Sequence, residues 1–276
     1  MEVRQLAAVT VKAAEVGADR VREIVAEGSG WRPIGQGAGG DTTLRLDKAS
    51  EDAILSFLMS EVGAFAFLGE ERGYVECGAR FPLFIVDPVD GSFNASRGIP
   101  PYSVSVAVAT GPRLSDVKAG AVVPVEPREP AYWAIAGAGA FRGGLRISPR
   151  PEGPGLGVVV SYSKRRYAEP AALAAEFSKR GWKVRTLGCA SLEVCLVATG
   201  QIDAYVNLWG VARVVDLAAA LLIARESGCP VYIREGDPPL SIETGISVVV
   251  ARSKDVARAV LELARSLLPG LEDPAW

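Results

Sequence analysis

The sequence predicts an α+β first half followed by an α/β second half. Three observations carry that expectation. Two helix-periodic segments open the chain, a series of closely spaced strand-like runs follows, and beyond a proline- and glycine-dense stretch, RISPRPEGPGLG, strands alternate with helices. The boundary falls near residue 150, giving domains over residues 1–150 and 151–276.

In chain order, Leu6, Val9, Ala13, Val16, Val21, Ile24 and Val25 recur at helical spacing until Gly28, Ser29 and Gly30 end the segment. A glycine-rich loop, GQGAGGDTTLRLD, leads into a second helix from Lys48 to Val62, periodic through Ala53, Ile54, Phe57 and Leu58. FAFLGEE, FPLFIVD, YSVSVAVAT, AGAVVPV, AYWAI and GAFRG then read as strands, rich in β-branched and aromatic residues and bounded by glycine, proline or acidic residues. Their short links predict an antiparallel sheet covered on one face by the two helices. In the second half the strands VVVSYS, WKVRTL, DAYVN and SVVVARS alternate with the helices AEPAALAAEFSKR, SLEVCLVATG, VDLAAALLIARESG and VARAVLELARSLL, the pattern of a partly parallel sheet.

Composition removes whole classes of function. The 276 residues are 49% hydrophobic and 22% charged, enough apolar material for one or two packed domains. Thirty Lys and Arg against 32 Asp and Glu leave a net charge of −2, so neither nucleic acid nor an acidic membrane is an expected partner. The chain has no histidine, which excludes Ser-His-Asp and Cys-His catalysis, phosphohistidine transfer and histidine metal sites. Cys77, Cys189, Cys195 and Cys229 form no C-x-x-C pair and read as reduced packing residues of a cytoplasmic protein. No signal peptide or membrane span is expected.

Chemistry therefore rests on carboxylates, hydroxyls or metal. Asp87 and Asp90 stand three apart in IVDPVDGSFN, where Pro88 and Gly91 break a continuing strand and let both carboxylates face one point, with the Val89 carbonyl between them as a further oxygen. The same D-P-x-D-G segment is also an ordinary turn signature. Glu70 and Glu71 follow another apolar run and would join the pair, or form a solvated turn. Asp216 opens one helical segment and Asp47 precedes another, where the helix N-cap is the structural alternative to a role in the site. Were Glu70, Asp87, Asp90 and Asp216 to converge, their mutual repulsion would require a counter-charge; an all-oxygen donor set selects a hard divalent ion, Mg2+ above all. The amides of Gly91 and Ser92 would then face a phosphate oxygen.

LGEE, VDPVDGSFN, CLVATGQIDAY and VVDLAAALLIARESG together resemble, in order and spacing, the signatures of the inositol monophosphatase family of Mg2+-dependent, lithium-sensitive sugar phosphatases, over about residues 41–228. GGDTTLRLDKASEDAI and RVVDLAA resemble the archaeal and bacterial branch with inositol monophosphatase and fructose-1,6-bisphosphatase activities. The resemblance implies a layered αβαβα sandwich of the sugar phosphatase type, a homodimer, and two or three Mg2+ per site. Glu70, Asp87 and the Val89 carbonyl would hold the first ion, Asp87, Asp90 and Asp216 the second, and Glu70 a weaker third. Glu70, Asp47 and Ser92 would handle the attacking water, and Gly91, Ser92 and Asn207 the substrate. Ser92 stands where the family usually has Thr, Val215 where it often has Trp, and Asn207 where inositol-specific members place Glu; Phe93, Asn94 and Ala95 depart from the usual continuation.

The expected activity is hydrolysis of a small sugar or polyol phosphate, inositol-1-phosphate or fructose-1,6-bisphosphate, by metal-activated water. A second phosphate would need a cation, for which Lys164, Arg165, Arg166, Arg185 and Arg213 are candidates. The rivals are a phosphatase of nucleotides such as 3′-phosphoadenosine 5′-phosphate, and an idle relative acting through protein or RNA partners.

Overall fold

The computed structural model describes residues 1–40, 42–126, 129–150, 155–162, 166–268 and 271. Among these residues the chain builds five layers. Helices α1 (Val3–Ala26) and α2 (Arg45–Glu61) pack side by side and are linked through a ribbon of β1 (Pro33–Gln36) and β2 (Thr42–Leu44). Their close approach depends on Gly17, where a Cβ would meet Ile54 Cδ1 at 2.7 Å and Ser50 Oγ at 2.9 Å.

The two helices cover a seven-stranded sheet in chain order: β3 (Phe65–Gly69), β4 (Gly73–Asp90), β5 (Ser103–Ala109), β6 (Val117–Pro124), β7 (Tyr132–Ile135), β8 (Gly139–Arg142) and β9 (Leu145–Arg146). A short helix, α3 (Ser92–Arg97), follows β4. From β4 to β9 the sheet is antiparallel, as expected, but β3 is flanked by both ends of β4. Gly69 lies opposite Gly73 and Phe65 opposite Cys77 in a hairpin, whereas Ala66 pairs with Leu83 and Gly69 with Val86 in parallel. The long β4 doubles past its neighbour and so brings the ends of β3 and β4 together at Glu70 and Asp87. The sequence reading began this strand only at Phe81, because the exposed, polar first half of β4 lacks an apolar run.

The second sheet has the order β11 (Lys183–Arg185), β10 (Gly157–Val160), β12 (Ala204–Arg213), β14 (Gly245–Ala251), β13 (Val231–Ile233); β10 runs parallel to β11 and β12, and the rest are antiparallel. Helices α4 (Ala168–Lys179) and α7 (Lys254–Arg265) contribute to the apolar core on its outer face. Helices α5 (Ala190–Ala198) and α6 (Val214–Ser227) fill the space between the two sheets, in one core that draws on both. That position explains why α6 is apolar almost all round: it has a sheet on each side. The layers are thus α1/α2, the first sheet, α5/α6, the second sheet and α4/α7, the αβαβα sandwich. The expected division near residue 150 adjoins residues 151–154, which, like Asp41, lie outside those described. No helix among the described residues is long and apolar enough to cross a membrane.

Candidate active site

The acidic residues singled out from the sequence gather at the ends of β3 and β4 and the first turn of α6. One carboxylate oxygen from each of Glu70, Asp87 and Asp216 lies within 4.8 Å of the others. Asp87 is 1% exposed, and burial, followed by the charges of Glu70, Asp216 and Asp90, pushes its carboxyl well above the ordinary carboxylate range. Burial also raises Glu70, partly offset by the charge of Arg213. Two buried carboxyls that resist ionisation beside a third, with only oxygen donors, fit a hard divalent cation.

Asp90 reaches the same place by a bulge rather than by the expected break in the strand. Asp87 lies opposite Ser105 of β5 and Asp90 opposite Ser103, so three residues on β4 span two on its partner. Its carboxylate accepts hydrogen bonds from Ser191 N (2.6 Å), Ser191 Oγ (2.6 Å), Ala190 N (3.1 Å) and Cys189 Sγ (3.3 Å), the start of α5. Asp90 is therefore beside the cluster and electrostatically part of it, while its oxygens anchor a helix N-terminus.

Neither Asp47 nor Asp216 is an N-cap, which corrects the structural alternative drawn from the sequence. Each is the third residue of its helix: α2 starts after Leu44 and α6 after Arg213. Asp47 Oδ2 accepts the Leu44 N–H at 3.0 Å, and Ser92 Oγ donates to Asp47 Oδ1 at 2.8 Å. Ser92 Oγ also lies 2.8 Å from the Val89 carbonyl. Burial lifts the Asp47 carboxyl to about 7 against the two hydrogen bonds that favour its ionised form.

Several contributors escaped sequence reasoning. Ser50 donates to the Pro88 carbonyl (2.9 Å), and Glu51 Oε1 accepts the N–H groups of Glu71 (3.0 Å) and Arg72 (3.3 Å), fixing the turn that presents Glu70. Gly69 permits this, since a Cβ there would overlap Glu51 Oε1. The signal lay in the spacing of Asp47, Ser50 and Glu51, a polar stripe on the face of α2 that the apolar residue Ile54 continues. Glu71 is not one of the three grouped carboxylates and accepts from the Thr43 hydroxyl.

Arg213, a candidate from the sequence for holding a second phosphate, lies among the carboxylates. Nη2 is 2.6 Å from Glu70 Oε1 and 3.1 Å from Asp216 Oδ1, and Nε donates to Asp216 Oδ2 at 3.2 Å. Burial opposes its charge, but Asp216, Glu70 and Asp87 more than restore it and raise its pKa.

These groups line a cleft of about 1230 Å3. Gly91, at φ 88° and with a Cβ position only 3.0 Å from the Gly188 carbonyl, accepts no other residue easily. Asn207 is buried in the cleft wall, where its Nδ2 donates to Ser161 Oγ (3.3 Å) and the Tyr205 hydroxyl faces both. Among the described lining residues the cations are Arg97 and Arg213. Arg185 stands apart, exposed on β11 and bonded to the Val184 carbonyl, and Arg166 pairs with Glu169. Lys164 and Arg165 lie outside the described residues.

The sequence profile of the inositol monophosphatase family matches residues 2–268. An inositol-1-monophosphatase of Aeropyrum pernix is 34% identical, covering 86% of this chain and 88% of its own. A fructose-1,6-bisphosphatase/inositol-1-monophosphatase of Methanothermobacter thermautotrophicus is 32% identical over 96% of this chain and 95% of its own. Among solved structures, SuhB of Mycobacterium tuberculosis superposes with a TM-score of 0.75 at 30% identity, over 98% of this chain and 99% of that one.

Proposed function

This chain belongs to the inositol monophosphatase family, and on that premise we propose that it is a Mg2+-dependent phosphomonoesterase of small sugar or polyol phosphates, inositol-1-phosphate or fructose-1,6-bisphosphate. The observation that carries the reading is the convergence of Glu70, Asp87 and Asp216, from three separated segments, within 4.8 Å. With the Val89 carbonyl and the adjoining Asp90, these residues would hold two or three Mg2+, which when bound supply Lewis acidity toward phosphate and a more acidic water.

The remaining steps belong to the chain's own groups. Ser92 has one hydroxyl proton and two acceptors at 2.8 Å. When Asp47 is ionised that proton points to it, and the serine lone pairs are left to accept from a water in the cleft. Asp47, lifted to about 7, is placed to take the proton passed along, beside Glu70. The amides of Gly91 and Ser92 would be donors to the phosphate, and Asn207, Ser161 and Tyr205, which line the cleft, offer hydrogen-bonding groups to a polyol. Arg97, at the end of α3, is the described lining cation placed for a second phosphate.

A second reading, a phosphorylated nucleotide, has one observation in its favour. Trp31, Phe93 and Tyr162 are 58%, 68% and 42% exposed, and all line this cleft, a rim on which a base can stack. Phosphate release from inositol-1-phosphate, fructose-1,6-bisphosphate and 3′-phosphoadenosine 5′-phosphate, each with Mg2+ and with EDTA, tests both. Mg2+-dependent release from a polyol or sugar phosphate supports the first reading. Preference for the nucleotide moves the assignment to the second, and release undiminished by EDTA overturns the metal-dependent mechanism.

A further inference from the structure

Arg213 occupies the space between Glu70 and Asp216, two of the residues that would hold divalent ions. Its Nη2 lies between Glu70 Oε1 (2.6 Å) and Asp216 Oδ1 (3.1 Å), while Nε takes the second Asp216 oxygen (3.2 Å). A carboxylate lone pair that accepts a guanidinium N–H cannot at the same time ligate a cation. The arrangement is built into the site. A Cβ on Gly39 would come within 2.9 Å of Arg213 Nη1, and the Gly39 N–H is bonded to the Glu70 carbonyl at 3.2 Å, so the loop between β1 and β2 leaves room for the guanidinium. The charge balance gives it a purpose, since Glu70, Asp87, Asp90 and Asp216 would repel one another without a cation.

We propose that Arg213 is the resident cation of the metal-free site, a positioning residue that keeps Glu70 and Asp216 assembled and competes with divalent metal for their oxygens. The proposal rests on the reading of Glu70, Asp87 and Asp216 as metal ligands. Metal affinity is then a difference: binding must first break the Arg213 ion pairs, so their strength is subtracted from the intrinsic affinity of the carboxylates. Arg213 thereby sets the divalent-ion concentration at which the site fills.

The test is titration of the full chain with Mn2+, following free Mn2+ by EPR, and with Mg2+ by calorimetry, for the wild type, Arg213→Gln and Arg213→Lys. Thermal melts accompany it in EDTA and in saturating Mg2+. Arg213→Gln should tighten divalent binding about tenfold or more, lower the metal-free Tm by about 5 °C and enlarge the gain in Tm on adding metal. Arg213→Lys, which keeps the charge but not the forked geometry, should fall between. Unchanged or weaker metal binding in a folded Arg213→Gln overturns the proposal, since a bridge that merely organises ligands predicts that loss. If Arg213→Gln does not fold, Arg213→Lys decides by the same criterion. Failure of the wild type to bind either ion refutes instead the metal-dependent reading on which the proposal stands.

Discussion

Asp87 and Asp90, three residues apart along β4, take different positions, and their variants should separate accordingly. Asp87 faces the cluster and is surrounded by like charge. Asp87→Asn should lose turnover by several orders of magnitude while the metal-free protein keeps or gains thermal stability, because a buried repulsion is removed. Asp90→Asn should lose turnover and also stability, by about 1–3 kcal/mol, since its carboxylate accepts from Ala190, Ser191 and Cys189 and an amide offers those donors one oxygen fewer. Kinetics and melts on both proteins check the contrast. Asp47 and Ser92 act as a pair joined at 2.8 Å. Asp47→Asn and Ser92→Ala should each reduce kcat roughly 10²–10⁴-fold, and the double variant little further, because either change breaks the same relay.

Whole elements place these residues, and here the sequence was legible to different depths. The helices and most strands followed from periodicity, Glu70, Asp87 and Asp90 from their position after apolar runs, and Asp47 and Asp216 from their places at helix starts. The supporting polar groups did not follow, because Ser50, Glu51 and Glu193 look like ordinary helix residues until the neighbouring backbone is known. Their pairing with peptide groups of other segments, the Pro88 carbonyl for Ser50 and backbone N–H groups for Glu51 and Glu193, is a tertiary fact. Glu193 of α5 shows the consequence: its Oε1 accepts from Leu187 (2.6 Å) and Gly188 (3.0 Å), yet burial raises its carboxyl to about 8. The folded state then binds a proton that the unfolded state has already released. Its contribution to stability is complete below the ordinary value of 4.5 and declines as pH rises to about 8. In Glu193→Gln, whose amide oxygen still accepts both N–H groups, this decline should vanish. Melting temperatures from pH 4.5 to 8.5 measure it, and an unaltered slope in the variant would exclude Glu193 as its source.

At the scale of the molecule, the site exists because two sheets share one helical layer. Glu70 and Asp87 come from strand ends of the first sheet, while Asp216 comes from α6, which follows β12 of the second and packs between both. Sequence alone named the participants through resemblance. It could not supply the doubling of β4 past β3, which depends on pairing between residues remote in sequence, or the insertion of Arg213, whose neighbours became visible only with α6 in place. Anomalous diffraction from crystals of the chain soaked in Mn2+ tests the convergence directly. The account predicts density peaks within coordination distance of Glu70, Asp87 and Asp216, with Arg213 withdrawn from Glu70. Ions bound only elsewhere, or an acidic cluster still closed around Arg213 at saturating Mn2+, would contradict it.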